Sequence, residues 1–164
     1  MHQKKIMHPV VLTLFILYVL MMLFLLVIPN NYRSHNVMVG GLTWERWTQY
    51  IGRNWNLIPL RSIVEQIGSI LAGEDVARNI IYFAGNFIGF APLGYFLPVL
   101  FVKQQKFRMF LLTVVSALAC LELAQLMTMR GSFDIDDITL NTAGACLGFC
   151  IMKKTAIRTV EAGF

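Results

Sequence analysis

The sequence predicts an all-α integral membrane protein with four transmembrane helices and an interfacial amphipathic helical segment between the first and the second of them. Of the 164 residues, 57% are hydrophobic and only 14% are charged, a composition too apolar for a soluble globular domain. The apolar residues form long runs, and the lysines and arginines are grouped at the ends of those runs. We therefore expect one membrane domain covering residues 1–164.

The basic residues and the cysteines also favour this class. The net charge of +5 does not indicate nucleic-acid binding, because the basic residues flank apolar runs instead of forming one basic face. All three cysteines lie inside apolar runs, and an odd number cannot form a complete set of disulfides. We expect buried thiols, no metal site, no cofactor and no nucleic-acid partner. The cysteines are Cys120, Cys146 and Cys150.

The first predicted span covers residues 10–28. This run carries no charge, and at about 1.5 Å per residue it is long enough to cross the hydrocarbon core. Lys4 and Lys5 precede it as in a signal peptide, but the run is too long for one and no small-residue cleavage site follows before Pro29. We expect an uncleaved anchor.

Residues 30–79 form an outer connection that is too polar to span and is predicted to lie on the membrane surface. Trp44, Trp47 and Ile51 fall on one helical face, as in an interfacial helix with tryptophans at the headgroup level. A second amphipathic helix is predicted after Pro59 from the apolar stripe of Ile63, Val64, Ile67, Ile70 and Leu71. These helices either shield the bundle or form a lid that contacts substrate, and the sequence leaves both open.

The second predicted span, residues 80–102, is an irregular helix. Pro92 removes a helix hydrogen bond and is expected to kink it. Gly85 and Gly89 form a small-xxx-small pair that is expected to let another backbone approach closely. Asn86 is a polar side chain within this apolar run.

The third and fourth spans are predicted at residues 109–129 and 136–152. Glu122 and Gln125 share one face of the third. One face of the fourth span carries first an acidic residue, then a polar residue and then two glycines. The polar part is expected to point into a site, and the glycines are expected to pack against another helix. That face consists of Asp137, Asn141, Gly144 and Gly148.

The basic residues next to the predicted spans set the expected orientation. With four spans they all fall on one side, which the positive-inside rule makes cytoplasmic. Both termini are then cytoplasmic, and the connection and the polar residues face outward. The residues counted are Lys4, Lys5, Lys103, Lys106, Arg108, Lys153, Lys154 and Arg158.

Polar residues near the outer ends of the spans form the predicted site. A charged side chain at the middle of a membrane helix costs about 2.5–3.5 kcal/mol on insertion scales, so such residues usually mark a function. Residue counting places Asn86, Glu122 and Asn141 in one layer, with the charged turn above it. The predicted ligand-binding residues are Asn86, Glu122, Gln125, Arg130, Asp134, Asp136, Asp137 and Asn141.

These residues allow more than one chemistry. Arg130 can bind a carboxylate bidentately, which suits a structural salt-bridge network as well as a ligand site. Asp134 or Asp136 can simply cap the fourth helix. Glu122 or Asp136, in a desolvated cleft, can also serve as a general acid or base. A nucleophile–base pair is not evident, because Ser132 has no adjacent histidine, and the aspartates alone are weak evidence for a divalent metal.

Four motifs resemble those of the VanZ-like family of small membrane proteins, and the resemblance covers nearly the whole chain. They are Asn56-Leu-Ile-Pro59, Asn86-Phe-Ile-Gly-Phe90-Ala-Pro92-Leu-Gly94, Glu122-x-x-Gln125, and Arg130-Gly-Ser-Phe-Asp134-Ile-Asp136-Asp137-Ile-Thr-Leu-Asn141-Thr-Ala-Gly144-Ala-Cys-Leu-Gly148. The resemblance implies a multi-pass protein of the bacterial cell membrane. For some members it also implies lowered susceptibility to teicoplanin and related lipoglycopeptides, which bind cell-wall precursors at the outer surface.

Three functions are therefore open. The leading expectation is an outward-facing cleft that binds a lipoglycopeptide or a lipid-linked cell-wall precursor, with membrane lipid around it. The alternative is a membrane enzyme that modifies a lipid-linked or envelope substrate by carboxylate acid–base catalysis. The third is an assembly factor whose charges only fix helix packing.

Overall fold

The computed structural model describes the backbone of residues 9–27 and 43–161, with side chains for residues 9–25 and 43–155. Lys4, Lys5, the region around Pro29, the start of the outer connection and the side chain of Arg158 lie outside the described residues. The described elements are the helices α1 (Pro9–Val27), α2 (Trp44–Arg53), α3 (Arg61–Leu71), α4 (Val76–Gly89), α5 (Ala91–Leu100), α6 (Phe107–Met127) and α7 (Ile135–Glu161), the strands β1 (Trp55–Asn56) and β2 (Phe133–Asp134), and a 3₁₀ turn at Val102–Gln105.

Three helical segments in the described part of the chain are long and apolar enough to cross a membrane. They are Val76–Leu100, Phe107–Met127 and Ile135–Thr155. The predicted first span corresponds to a shorter apolar helix, Pro9–Leu25, so the fourth crossing stays a prediction. Helices α2 and α3 occur where the amphipathic stripes predicted helices, and their position at the membrane surface stays a prediction as well.

The second span is interrupted where the sequence predicted a kink. Helices α4 and α5 meet at Phe90, and Pro92 lies in the first turn of α5, where its missing N–H is not needed. Next to this interruption, the hydroxyl of Tyr18 on α1 donates a hydrogen bond of 2.8 Å to the backbone oxygen of Gly89. The interruption therefore coincides with the point where α1 packs onto the bundle.

The backbone of helix α7 lies in direct contact with the backbones of α4 and α5. A Cβ added to Gly144 would lie 1.9 Å from the backbone oxygen of Phe87, and one added to Gly148 would lie 1.8 Å from that of Ala91. Gly94 of α5 has an equally close backbone neighbour on α7. The predicted packing role of Gly144 and Gly148 is thus confirmed.

The same prediction for Gly85 and Gly89 was wrong. Among the described residues, no atom lies within 4 Å of a Cβ added to Gly85, and the only neighbour at Gly89 is the flexible Met22 side chain at 3.9 Å. Two residues turn an α-helix by about 200°, so Gly85 and Gly89 face away from the side on which Phe87 meets α7. The small residues are present, but no backbone in the described part of the chain approaches them.

Helix α6 runs antiparallel to α7 and contributes every fourth side chain to the core. Its buried residues are Phe110, Val114, Leu118, Glu122 and Leu126. The rings of Phe110 and Phe149 are 4.7 Å apart, which places the start of α6 beside the later part of α7. Glu122 therefore occupies a core position in an otherwise apolar stripe, close to the opposite end of the bundle.

Candidate functional site

Glu122 meets Asp134 because the chain folds back after α6. The backbone N–H groups of Arg130 and Gly131 both donate to the backbone oxygen of Gln125, at 2.9 and 3.2 Å. The reversal leads β2 down beside α6, where the N–H of Asp134 donates to Oε2 of Glu122 at 3.4 Å. Glu122 and Asp134 are only 6% and 7% exposed.

This reversal changes the predicted depths. The sequence placed the aspartates above a layer that contained Glu122 and Asn141, whereas Asp134 lies beside Glu122. Asn141 comes four residues after Asp137 in α7, about 6 Å further along the helix. The polar residues thus occupy successive levels, because the turn runs back along α6 instead of standing above it.

Two short strands join the outer connection to this turn. Strand β1 pairs in parallel with β2, with Asn56 opposite Asp134. The rings of Trp55 and Phe133 lie 5.1 Å apart across the pair. Nothing in the local sequence pattern predicted this pairing, which brings the connection onto the carboxylates.

Asp134 holds the start of α7 and the connection together. Its Oδ1 accepts the backbone N–H of Asp136 at 2.8 Å, the arrangement of a helix N-cap, so the capping interpretation is confirmed for Asp134. The same oxygen accepts the Asn56 amide at 3.0 Å, and Oδ2 accepts the Ser62 hydroxyl.

Asp136 caps a helix other than its own. Its Oδ1 accepts the N–H of Leu60 at 2.6 Å, and its Oδ2 accepts those of Ser62 and Ile63 at 2.8 and 3.4 Å. These are the first N–H groups of α3, whose own cap residue, Leu60, has a positive φ of 67° and offers no side-chain cap. Asp136 is 1% exposed and places its carboxylate at the positive end of the α3 dipole.

Asp137 binds the second span. Its Oδ1 accepts the Asn86 amide at 3.1 Å and the Tyr82 hydroxyl. Tyr82 precedes Asn86 by one helical turn, so both side chains lie on the face of α4 that meets α7. Asn86 and Asp137 were predicted from the sequence but Tyr82 was not, although its i, i+4 spacing to Asn86 indicates a shared helix face.

Comparison with protein-family models identifies the family of this chain. A family model described as VanZ/LLP1 matches residues 15–158, which include every residue of the site. The chain belongs to the VanZ-like family. Comparisons with curated proteins and with solved structures found no match.

The remaining predicted residues of this VanZ-like protein lie around the carboxylates. Arg130 is exposed in the turn and Gln125 is half-buried on α6, with Gly131 packed against its side chain. Asn141 is 5% exposed, and its side-chain oxygen has no hydrogen-bond partner within the described residues. Pairing of Arg130 with Glu122 or an aspartate stays a prediction.

The hydrogen bonds described above for the carboxylates of the VanZ-like site come from neutral donors. Amides, hydroxyls and backbone N–H groups make every contact described above. In the described part of the chain, no group of three or more His, Cys, Asp or Glu side chains is arranged to hold a metal ion. Two of the donors, Asn56 and Ser62, were not among the residues predicted from the sequence, although Asn56 opens one of the motifs on which the family resemblance rests.

Proposed function

We propose that this VanZ-like protein binds an amphipathic ligand at the carboxylate end of its bundle, and that binding lowers susceptibility to teicoplanin. The ligand is a lipoglycopeptide or a lipid-linked cell-wall precursor, and the cleft faces outward. The basic residues beyond the other end of the spans support this orientation under the positive-inside rule.

One observation carries the proposal: three carboxylates, those of Glu122, Asp134 and Asp136, are buried together at one end of the candidate spans. Buried charges rarely improve stability relative to apolar residues of similar size, and charged groups inside membrane segments usually serve function. Capping explains part of what Asp134 and Asp136 do. It does not explain Glu122, which stands in the middle of an apolar stripe.

The proposed roles follow from exposure and contacts. Asn86, Glu122, Gln125 and Asn141 form hydrogen bonds with polar groups of the ligand. The Asn141 side-chain oxygen, which has no partner within the described residues, is an acceptor suited to a ligand hydroxyl or amide. Arg130, exposed in the turn, binds an anionic group at the rim. Asp134, Asp136 and Asp137 contribute acceptors and fix the elements that frame the cleft.

Direct binding tests the proposal. Purified protein is titrated with teicoplanin and, separately, with a lipid-linked cell-wall precursor, and wild type is compared with Glu122→Gln. Glu65→Gln is the matched control, because the Glu65 side chain is 64% exposed and pairs with Arg61 on α3. We expect Glu122→Gln to weaken binding by about two- to tenfold, since a hydrogen bond is worth about 0.5–1.5 kcal/mol, and Glu65→Gln to bind like wild type. Absence of binding by wild type contradicts the proposal.

A membrane enzyme is the second proposed function, and one contact pattern favours Glu122 over Asp136 as its acid–base group. Both oxygens of Asp136 are occupied by backbone N–H groups, whereas Glu122 accepts one long hydrogen bond from Asp134. This function predicts product from an incubated lipid-linked precursor. Glu122→Gln would then abolish product formation and leave binding largely intact, whereas a binding protein forms no product at all.

A further inference from the structure

The end of the bundle opposite the carboxylates gathers basic residues from two separate parts of the chain. The ring of Phe107, which opens α6, lies 5.4 Å from that of Phe149 on α7, and Lys153 Nζ lies 5.6 Å from the Phe149 ring centroid. The turn before α6 and the later part of α7 therefore meet here. The residues of this basic surface are Lys103, Lys106, Arg108, Lys153 and Lys154, all exposed.

The turn that carries Lys103 and Lys106 is held in place by its two glutamines. The Gln104 side-chain amide donates to the Thr113 hydroxyl on α6 at 3.0 Å. The Gln105 amide donates to the backbone oxygen of Pro98 on α5 at 3.2 Å. The backbone positions of both lysines are thus fixed before anything binds, which lowers the entropy cost of binding.

The charges of the basic surface are not neutralised by nearby acids in the described part of the chain. None of its five residues forms an ion pair there, whereas Arg61 pairs with Glu65 at 3.0 Å and Arg78 with Asp75 at 3.1 Å. Every acidic side chain that the structure describes lies on the connection, just before α4, or at the carboxylate end. These are Glu45, Glu65, Glu74, Asp75, Glu122, Asp134, Asp136 and Asp137.

Exposed apolar side chains adjoin the basic surface. Phe101 is 45% exposed and Val102 is 68% exposed, immediately before Lys103, and Leu112 on the first turns of α6 is 65% exposed. A cationic rim above apolar side chains matches a lipid with an anionic headgroup and acyl chains, and it matches a soluble anion less well.

We propose that the basic surface binds anionic phospholipid, with the headgroup phosphate on Lys103 and Lys106 and the acyl chains along Phe101 and Val102. Lys153, on α7, adds positive charge to the same surface. This site is independent of the carboxylate end, so it stands or falls separately from the proposed function.

Native mass spectrometry of the full-length protein in detergent tests the proposal by comparing bound phosphatidylglycerol with bound phosphatidylcholine. We expect wild type to prefer phosphatidylglycerol. We expect Lys103→Gln with Lys106→Gln to reduce that preference by about fivefold per lysine, and added salt to weaken it. The matched control is Arg61→Gln with Arg78→Gln, which removes two paired cations from elsewhere and should leave the preference unchanged.

Two further variants keep the test decisive. Lys103→Arg with Lys106→Arg retains the charges and should retain the preference. Lys153→Gln with Lys154→Gln, on an exposed helix surface, should lower it even if the turn variant fails to fold. Equal binding of the two lipids by wild type, or equal loss in the basic-surface and control variants, overturns the proposal.

Discussion

Asp136 joins two helices through one carboxylate. It lies in the first turn of α7, and both of its oxygens accept N–H groups from the start of α3, including those of Leu60 and Ser62. A buried backbone donor without a partner costs about 1–3 kcal/mol, so Asp136 stabilises the fold independently of any functional role. Any loss of function on its substitution has to be separated from loss of this cap.

The cap can be tested with Asp136→Asn. An amide nitrogen cannot accept from N–H groups, so we expect the free energy of unfolding to fall by about 1–3 kcal/mol and the amides of Leu60, Ser62 and Ile63 to lose protection from hydrogen exchange. Asp75→Asn is the control, since Asp75 is exposed, and it should change stability by less than about 0.5 kcal/mol. Unchanged protection of the Leu60 and Ser62 amides contradicts the assignment.

Tyr82 anchors α4 to α7 through its hydroxyl, which donates to Asp137. Tyr82→Phe keeps the ring and removes the donor, so we expect thermal unfolding to show a loss of about 1 kcal/mol or more, because the acceptor is charged. Tyr95→Phe is the matched control, since the Tyr95 ring packs against Phe96 and the core and no hydrogen bond of its hydroxyl is found in the described part of the chain. Equal effects of the two substitutions would show that the Tyr82 hydroxyl does not stabilise the contact between α4 and α7.

At the scale of elements, the contact of α7 with α4 and α5 depends on glycines that leave no room for a side chain. Gly144→Ala would place a methyl group 1.9 Å from the backbone oxygen of Phe87, so the helices would have to separate. We expect a loss of about 1–3 kcal/mol or more, seen as lower thermal stability and less folded protein in the membrane.

Gly85→Ala, on α4 of the same helix pair, is expected to have the opposite effect on stability. The position is open among the described residues, and alanine favours helix over glycine by about 0.5–1 kcal/mol, so stability should hold or rise. A comparable loss in both variants would mean that the close approach is not specific to Gly144.

The sequence predicted the helical elements better than the contacts between them. Their polar character within apolar runs identified Glu122 and Asn86, and helical spacing placed Asp137 on one face with Asn141, because periodicity reports which side chains share a face. It could not report that Leu60 binds Asp136, since that contact joins residues 76 positions apart and depends on how the turn after α6 folds. Met129 adopts a positive φ of 56° in that turn, which its side chain gives no reason to expect.

At the scale of the whole molecule, the described bundle has a carboxylate end and a basic end. The two strands and Asp136 tie the connection to the carboxylate end, and the turn before α6 and the later part of α7 form the other. The charge distribution is the physical basis for the predicted orientation, with the connection outside and the basic surface in the cytoplasm.

Cysteine labelling of intact cells tests this orientation. In a background without Cys120, Cys146 and Cys150, we expect a membrane-impermeant maleimide to label Glu74→Cys, an exposed position just after α3, and to leave Lys154→Cys unlabelled until the cells are opened. The reverse pattern would place the carboxylate end in the cytoplasm and contradict an outward-facing cleft.

Teicoplanin susceptibility of a susceptible cell that expresses the protein tests most directly whether the buried carboxylates form a functional site. Wild type, Glu122→Gln and Glu65→Gln are compared at equal membrane abundance, with vancomycin in parallel. We predict that wild type and Glu65→Gln lower teicoplanin susceptibility and that Glu122→Gln does not. Full protection by Glu122→Gln, or none by wild type, would contradict the account.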